Sequence, residues 1–260
     1  MAQPINTIFK IFILMAACAI VPISCGVFKT ESLYSRQIIQ DAKSLRQAIL
    51  NNDKKKIIDI FIRKHRDTRF SLADAYNYKF GHTLTDDFRE FESGDFGYLM
   101  TVMAIDPPTY NAIELHKTWY GFYDLDDSAF FQIWPFHNMT STNAEYRRLY
   151  GVEIIQEFRK LPHFIRARFE QQFSYVSHEE QSEYYSGLLP FEIYNLNHFT
   201  RLIVLSLNAG ILDRVKESYE NYYEYPIKRL LKKCPDEDYR EAVLAMFNFK
   251  KIIRENGNEV

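Results

Sequence analysis

The sequence lacks the features that usually identify an enzyme or a nucleic-acid-binding protein. It contains no HExxH, GxSxG or CxxC motif and no glycine-rich phosphate loop. Its seven histidines are scattered, without the spacing of metal ligands. The net charge is −2, so no overall positive field argues for a nucleic-acid partner. We therefore expect a protein that is not an enzyme and does not bind nucleic acid.

Cysteine is also scarce, and two of the three cysteines lie in an N-terminal segment that resembles a secretory signal peptide. In that segment Lys10 precedes a short apolar run at residues 11–23, and small residues such as Gly26 follow it. Cleavage after Gly26 leaves Cys234 alone, as a buried filler or a lone thiol, in a secreted protein without an internal disulfide. An uncleaved membrane anchor is the alternative. No later segment of the sequence is apolar enough to span a membrane.

What the sequence does contain is a pattern of about 70 residues that occurs three times. One apolar block is found at residues 57–61, 130–134 and 199–203. A second block is found at residues 84–88, 154–158 and 227–231. Because two separate blocks keep the same period, the pattern indicates a repeated structural unit.

Each repeat carries helical signals, and no segment shows a convincing strand alternation. Apolar residues recur on one helix face up to Gly81, which predicts a helix end, and Asp53 predicts a helix start. Pro107 and Pro108 are expected to end a helix. These signals predict an all-α fold with about five short helices in each repeat. Capping boxes are predicted at Thr142 with Glu145 and at Ser177 with Glu180.

The order of these blocks resembles the annexin family. The resemblance covers roughly residues 40–250, and it rests on the segments 44–49, 57–60, 80–81, 84–88, 93–96 and 110–115. It implies an annexin-like, slightly curved right-handed array of five-helix repeats. It also implies that two loops of each repeat lie on a convex face that meets membranes. These are the loop between the first and second helices and the loop between the fourth and fifth helices.

The resemblance divides the chain into five parts. We place a signal peptide at 1–26, annexin-like repeats at 40–108, 109–176 and 177–250, and a C-terminal tail at 251–260. Annexins usually have four repeats, so an array of three leaves one flank uncovered. Its apolar surface must be covered by the terminal segments or by self-association with a second molecule.

The resemblance further implies calcium sites, but this sequence keeps little of them. Annexins bind calcium with carbonyl oxygens of a Gly-x-Gly-Thr loop and with one distant carboxylate, because calcium prefers six to eight oxygen ligands. In the first repeat the acid position falls on Phe91, and in the second it falls on Lys160. In the third the glycine loop is unrecognisable around Gly187, and the acid position falls at or beside Cys234. We expect weak or lost calcium dependence, with the weak calcium candidates being Glu90, Glu92, Gly121 and Asp124.

Basic side chains occupy the same loops and suggest membrane contact without an ion. A lysine ammonium can meet a lipid phosphate directly, and each basic residue near an anionic surface contributes about 1 kcal/mol. Aromatic side chains at a loop tip add a shallow apolar contact. The membrane-binding candidates are Lys54, Lys55, Lys56, Phe122, Tyr123, Arg159, Lys160, Lys232 and Lys233.

Two functions remain open. The first is a secreted, extracellular annexin-like protein that binds anionic phospholipid or cell surfaces. The second is a calcium-independent protein-interaction scaffold that has lost lipid binding, since a fold alone does not fix a function. The acidic neighbours of the lysine runs favour a solvated surface over lipid contact. Asn138, followed by Met139 and Thr140, is a glycosylation candidate that suits a loop of a secreted protein.

Overall fold

The chain is all-α in the residues that the computed structural model describes, as the sequence predicts. These residues are 34–120, 127–134, 137, 139–161, 163, 166–167 and 177–248. The expected signal peptide, Asn138 and the C-terminal tail lie outside them. Within the described part, none of the helices has both the length and the apolar character that crossing a membrane requires.

Five helices form the first repeat, as the 3.6-residue period predicts. The second of them continues into a π-helical turn, Ile58–Ile62, in which the Arg63 backbone N–H bonds to the Ile58 carbonyl five residues back. The repeat begins at Arg36, slightly ahead of the expected residue 40. Its helices are α1 (Arg36–Leu50), α2 (Lys54–Ile57), α3 (Arg66–Phe80), α4 (Leu84–Phe91) and α5 (Asp95–Met103).

The later repeats use the same order of helices. In the described part of the second repeat these are α6 (Pro107–Tyr120), α7 (Asp127–Ile133), α8 (Met139–Tyr150) and α9 (Ile154–Lys160). The third repeat again has five helices, and the first begins at His178, where the sequence places the repeat boundary. They are α10 (His178–Glu192), α11 (Leu196–Asn208), α12 (Leu212–Tyr223), α13 (Ile227–Leu231) and α14 (Glu237–Phe247).

Several predicted helix ends are confirmed. The Asp53 carboxylate accepts a hydrogen bond from the Lys56 backbone N–H and so begins α2. Ser177 and Glu180 form the predicted capping box at the start of α10. Gly81 ends α3 in the left-handed conformation, with φ of 74°, which a residue without a Cβ adopts at little cost.

Two predicted helix ends are wrong. Thr142 is buried inside α8, so it cannot begin a helix, and Glu145 instead accepts a hydrogen bond from Arg148. The proline pair does not end α5, which stops at Met103, but opens α6. Proline fits there because the first turn of a helix does not use its own N–H groups.

The repeated blocks supply the centre of the core, which explains why they recur. The second helices of the first two repeats are short and cannot bury their apolar side chains alone, so neighbouring helices of the array cover them. The fully or almost fully buried members of the first block are Ile57, Ile58, Phe61, Phe130, Ile133, Phe199, Leu202 and Ile203. Those of the second block are Leu84, Phe88, Ile154, Ile227, Leu230 and Leu231.

The third repeat packs against both of the others. Helix α14 contacts the π-helical turn and α5 of the first repeat, and α11 contacts α5 and α7. The described residues still include exposed large apolar side chains in every repeat: Leu50, Tyr78, Leu149, Ile155, Tyr184, Phe191, Tyr194 and Tyr222. Self-association through an uncovered flank stays a prediction.

A buried arginine joins the second and third repeats. Arg201 of α11 donates from Nε to Gln132 Oε1 (2.7 Å) and from Nη2 to Ser128 Oγ (2.6 Å), both in α7. Its Nη1 lies 3.2 Å from Glu114 Oε2 of α6, and both side chains of this ion pair are less than 5% exposed. Because a buried charge without its partner is strongly destabilising, this network holds α6, α7 and α11 in one arrangement.

A close approach between α5 and the preceding loop requires a glycine. A Cβ on Gly97 would lie 2.0 Å from the Glu92 carbonyl oxygen, which is far inside van der Waals contact.

We expect Gly97→Ala to lower the free energy of unfolding by about 1–3 kcal/mol or more, because the backbone around Glu92 must move. Gly187→Ala is the matched control, since that helical glycine has no neighbour within 4 Å of the added methyl group. Chemical denaturation should show that the control is as stable as the parent or up to about 1 kcal/mol more stable. Equal stability of the two variants would contradict the close approach.

The fold should lose stability in mild acid because of one histidine. Burial lowers the pKa of His137 to about 4, and its Nε2 lies 3.4 Å from the Tyr185 hydroxyl. In the unfolded chain the group titrates at about 6.5, so it binds a proton there before it does so in the folded chain. Above pH 6.5 the neutral His137 costs no stability. The free energy of unfolding then falls by up to about 3 kcal/mol as the pH decreases from 6.5 towards 4.

We expect His137→Gln to flatten this part of the pH profile of unfolding free energy. His65→Gln is the control, because the His65 side chain is mostly exposed. Urea unfolding at a series of pH values measures both variants, and an unchanged slope for His137→Gln would contradict the assignment.

Candidate functional site

The first and fourth loops of the first repeat meet at one lysine. Here the first loop of a repeat joins its first and second helices, and the fourth loop joins its fourth and fifth. Lys54 follows the first loop, and its Nζ lies 3.0 Å and 2.9 Å from the two carboxylate oxygens of Glu92 in the fourth loop. The same Nζ lies 2.8 Å from Asp238 Oδ2 in the first turn of α14. One ammonium group therefore joins two loops of the first repeat to the third repeat.

The environment keeps this ammonium group charged. The Lys54 side chain is only 22% exposed, and its Nζ lies 5.5 Å from the centroid of the Phe96 ring. Burial lowers the pKa of Lys54, but its hydrogen bonds to Asp238 and Glu92 outweigh that effect. The net pKa is raised above the ordinary value of 10.5.

An acidic cluster adjoins the ammonium group, and backbone N–H groups occupy part of it. Asp236 Oδ1 accepts from the Tyr239 backbone N–H (2.9 Å) and begins α14, while its Oδ2 accepts from the Phe96 N–H (3.3 Å). Burial raises the pKa of Asp95, and the charges of Asp236 and Glu92 raise it further. Within the described ranges, no three or more His, Cys, Asp or Glu side chains are grouped so that they could hold a metal ion.

The corresponding loops of the third repeat bring an aromatic ring and a lysine together. The first loop is residues 193–195 and not the region around Gly187, which lies inside α10. Tyr194 is 77% exposed, and its hydroxyl oxygen accepts a hydrogen bond from Lys233 Nζ (3.1 Å), which also lies 5.2 Å from the ring centroid. Phe191, one turn earlier, is 72% exposed. An apolar surface and a positive charge therefore share this corner of the molecule.

The other lysines of these loops point to solvent. Lys55, Lys56 and Lys232 are exposed, and no described residue forms an ion pair with them. Lys55 and Lys56 follow Lys54 directly in the chain, and Lys232 lies in the loop that joins α13 to α14. Both groups of lysines are therefore next in the chain to the segments that the Lys54–Asp238 ion pair joins.

The second repeat contributes two basic residues at the end of α9. Arg159 is exposed, and Lys160 Nζ lies 2.8 Å from Glu157 Oε1 one turn earlier. The predicted loop residues of this repeat, Gly121, Phe122, Tyr123 and Asp124, lie outside the described residues.

The sequence also singles out Glu90 and Cys234. Glu90 is exposed on α4 and has no contact with Lys54. Cys234 is buried and free, so it fills the core as the sequence suggests. Burial raises the pKa of its thiol, which favours the unreactive protonated form.

Sequence reasoning missed two parts of this site. It missed Tyr194 because the third-repeat loop was sought at Gly187, although the period of about 70 residues relates Tyr194 to the predicted aromatic loop residues Phe122 and Tyr123. It also missed Asp238 as the partner of Lys54. The two residues are 184 positions apart, and no local pattern relates them.

Comparison with known proteins agrees with this architecture. A 90-residue segment is 31% identical to annexin A5 of Cynops pyrrhogaster and 30% identical to annexin A3 of Bos taurus. The segment is 34% of this chain, and it spans 28% of each relative. Over this segment the chain is a divergent relative of the annexins. The annexin-like chain also matches the calcium-bound structure of alpha-14 giardin over 81% of its own length and 99% of that chain. The TM-score of 0.59 at 12% identity shows a shared fold. No model of a known protein family matches the chain.

The bridge that Lys54 forms with Glu92 and Asp238 should contribute to stability. We expect Lys54→Met to lower the free energy of unfolding by roughly 1–2 kcal/mol, because two ion pairs are lost and Glu92 and Asp238 are left facing each other. Lys55→Met is the control, because the Lys55 side chain is exposed. This substitution should change the free energy of unfolding by no more than about 0.5 kcal/mol. Urea denaturation measures both. Equal effects of the two substitutions would show that the bridge does not hold the repeats together.

Proposed function

We propose that this annexin-like chain binds anionic phospholipid surfaces through the first and fourth loops of its repeats, without a calcium ion in the first repeat. The observation that carries the proposal is the Lys54 ammonium group, which donates a hydrogen bond to Glu92 Oε1 and lies 2.9 Å from Glu92 Oε2. Annexins as a family are proteins that bind phospholipid membranes, and the chain is related to them. We extend that activity to this chain with a different source of positive charge.

The charge would come from lysines and not from a metal. Lys55 and Lys56 follow Lys54 in the chain, and Lys232 and Lys233 lie in the loop before α14, whose first turn contains Asp238. At about 1 kcal/mol each, four such residues give roughly 4 kcal/mol, which corresponds to an affinity of about 1 mM. Lysines alone therefore give only weak, salt-sensitive adhesion.

Exposed aromatic rings would supply the rest. Burying the side chain of a residue such as Phe191 contributes roughly 1.5–3 kcal/mol. Tyr194 suits the headgroup region of a membrane, because its ring is apolar and its hydroxyl bonds to Lys233. One inserted ring in addition to the four lysines brings the expected affinity to about 10–100 μM.

Calcium does not fit the oxygens present in the first repeat. Calcium takes six to eight oxygen ligands, usually including a bidentate carboxylate. The Asp53 carboxylate of the first loop already caps α2, and an ammonium group lies within 3.0 Å of both oxygens of Glu92 in the fourth loop. In the third repeat the fourth loop offers Lys232, Lys233 and buried Cys234 where an acid is needed. We infer that calcium dependence is weak or lost and that the chain is not an enzyme.

We also propose that the chain is secreted, as residues 1–26 suggest, and that it meets extracellular or cell-surface lipid. The rival function, a protein-interaction scaffold without lipid binding, would use the same exposed loops. Binding to vesicles distinguishes the two functions.

Vesicle co-sedimentation tests the proposal. We expect the mature chain to sediment with phosphatidylserine-containing vesicles in chelator, to gain little from added calcium, and to be released by high salt. Binding that requires calcium would contradict the lysine mechanism. No binding, or equal binding to neutral vesicles, would favour the scaffold.

Charge reversal locates the contact. The variant Lys55→Glu/Lys232→Glu should lose most of its binding, because it changes the charge by −4 at the proposed face. The matched control, Lys43→Glu/Lys79→Glu, has the same charge change. Lys43 lies in the middle of α1, and Lys79 lies in the last turn of α3, which leads to the end of α4 opposite the fourth loop. If both variants lose binding equally, net charge and not this face would be responsible.

A further inference from the structure

A recess lies between the first and third repeats, and none of the loop lysines named above lines it. It has a volume of about 220 Å³, and one side consists of Ile62 and the start of α3, the other of the turn between α11 and α12. The apolar side chains that line it are Ile62, Leu207, Leu212 and Met246. The recess is smaller than the sites of drug-sized ligands, which are about 300–1,000 Å³. It can therefore hold only a small molecule.

A buried arginine with an unused donor lines this recess. Arg69 of α3 is only 2% exposed, and its Nη1 donates to the Lys64 carbonyl oxygen (2.8 Å). Its Nε is buried and has no hydrogen-bond partner among the described residues. A buried donor left unsatisfied costs about 1–3 kcal/mol, and more when it is charged. The native chain tolerates this cost at a place that opens into a recess.

Arg69 also lacks a carboxylate partner, unlike the basic residues beside it. Lys64 Nζ lies 2.6 Å from Asp41 Oδ2, and Arg66 Nε lies 3.2 Å from Asp67 Oδ1. No described acidic side chain lies within ion-pair distance of Arg69. Burial, together with the nearby charge of Arg66, lowers the pKa of Arg69 to about 10 against the opposing effect of the Asp67 charge, so the group still carries its charge at neutral pH. Among the lysines and arginines that line the recess, Arg69 is therefore the one without an ion-pair partner in the described residues.

We propose that this recess binds a small organic carboxylate with a short apolar body, such as a short-chain fatty acid. The Nε edge of the Arg69 guanidinium matches the planar carboxylate group, and the apolar lining takes the body of the ligand. A carboxylate carries one negative charge, which balances one guanidinium. A phosphate group carries about −1.5 to −2 and would leave an excess next to Asp213, which also lines the recess.

Hexanoate is the probe that tests this site, with calorimetric titration and the melting temperature as readouts. We expect saturable binding of hexanoate and a higher melting temperature, compared with chloride at equal ionic strength. Hexan-1-ol has the same apolar body without the charge, and inorganic phosphate has charge without the body. Each should bind at least about tenfold more weakly, because each lacks one half of the recognition. Absence of hexanoate binding, or equal binding of either control compound, would overturn the proposal.

Substitutions locate the binding. Arg69→Met removes the charge and keeps most of the volume, and it should weaken hexanoate binding at least about tenfold. Arg63→Met is the control, because Arg63 pairs with Asp59 and does not line the recess. Leu207→Trp fills the recess without touching the charge and should also abolish binding, so it decides the matter if Arg69→Met does not fold. Retained binding in Leu207→Trp would place the ligand elsewhere. These measurements use no lipid, so their outcome is separate from that of the vesicle experiment.

Discussion

One ammonium group links two loops of the first repeat to the third repeat. Lys54 reaches the fourth loop of its own repeat and the first turn of α14, so a single cation pairs with two carboxylates from distant parts of the chain. Without a positive charge at this point, Glu92, Asp95, Asp236 and Asp238 would repel one another across the contact between the first and third repeats. A metal ion is one way to satisfy such a cluster, and a lysine is another. The lysine is covalently attached and is present at every ion concentration.

A buried charge is also paired within the protein where the second and third repeats meet. Arg201 meets Glu114 and two neutral side chains, and the network is nearly closed to solvent. Gln132 and Arg201 hold the same position in the repeated apolar block, so corresponding residues of two repeats have become partners. Arg69 is different, because it is buried like Arg201 but has no acid within ion-pair distance among the described residues. This difference is why we assign a ligand to Arg69 and a structural role to Arg201.

Much of the fold could be predicted from the sequence, because it depends on local signals. The period of the two apolar blocks, the Asp53 cap and the Gly81 end each reflect a rule that acts within one or two helical turns. The wrong capping box at Thr142 shows the limit, since a polar residue inside a helix has the same local pattern as one that begins it. The candidate site was predicted only in part. The lysines were recognisable as charges, but the partner of Lys54 depends on packing between repeats, which no spacing in the sequence reveals.

A calcium titration tests most directly whether a lysine replaces a metal ion in this array. Extracellular calcium modules bind the ion with dissociation constants of about 10⁻⁴–10⁻³ M. If the Lys54 ammonium group occupies the carboxylate of the first repeat, calorimetry of the chain will show no saturable calcium binding in that range that depends on Glu92. A stoichiometric site with a dissociation constant below about 1 mM, lost on substitution of Glu92 by Gln, would contradict this.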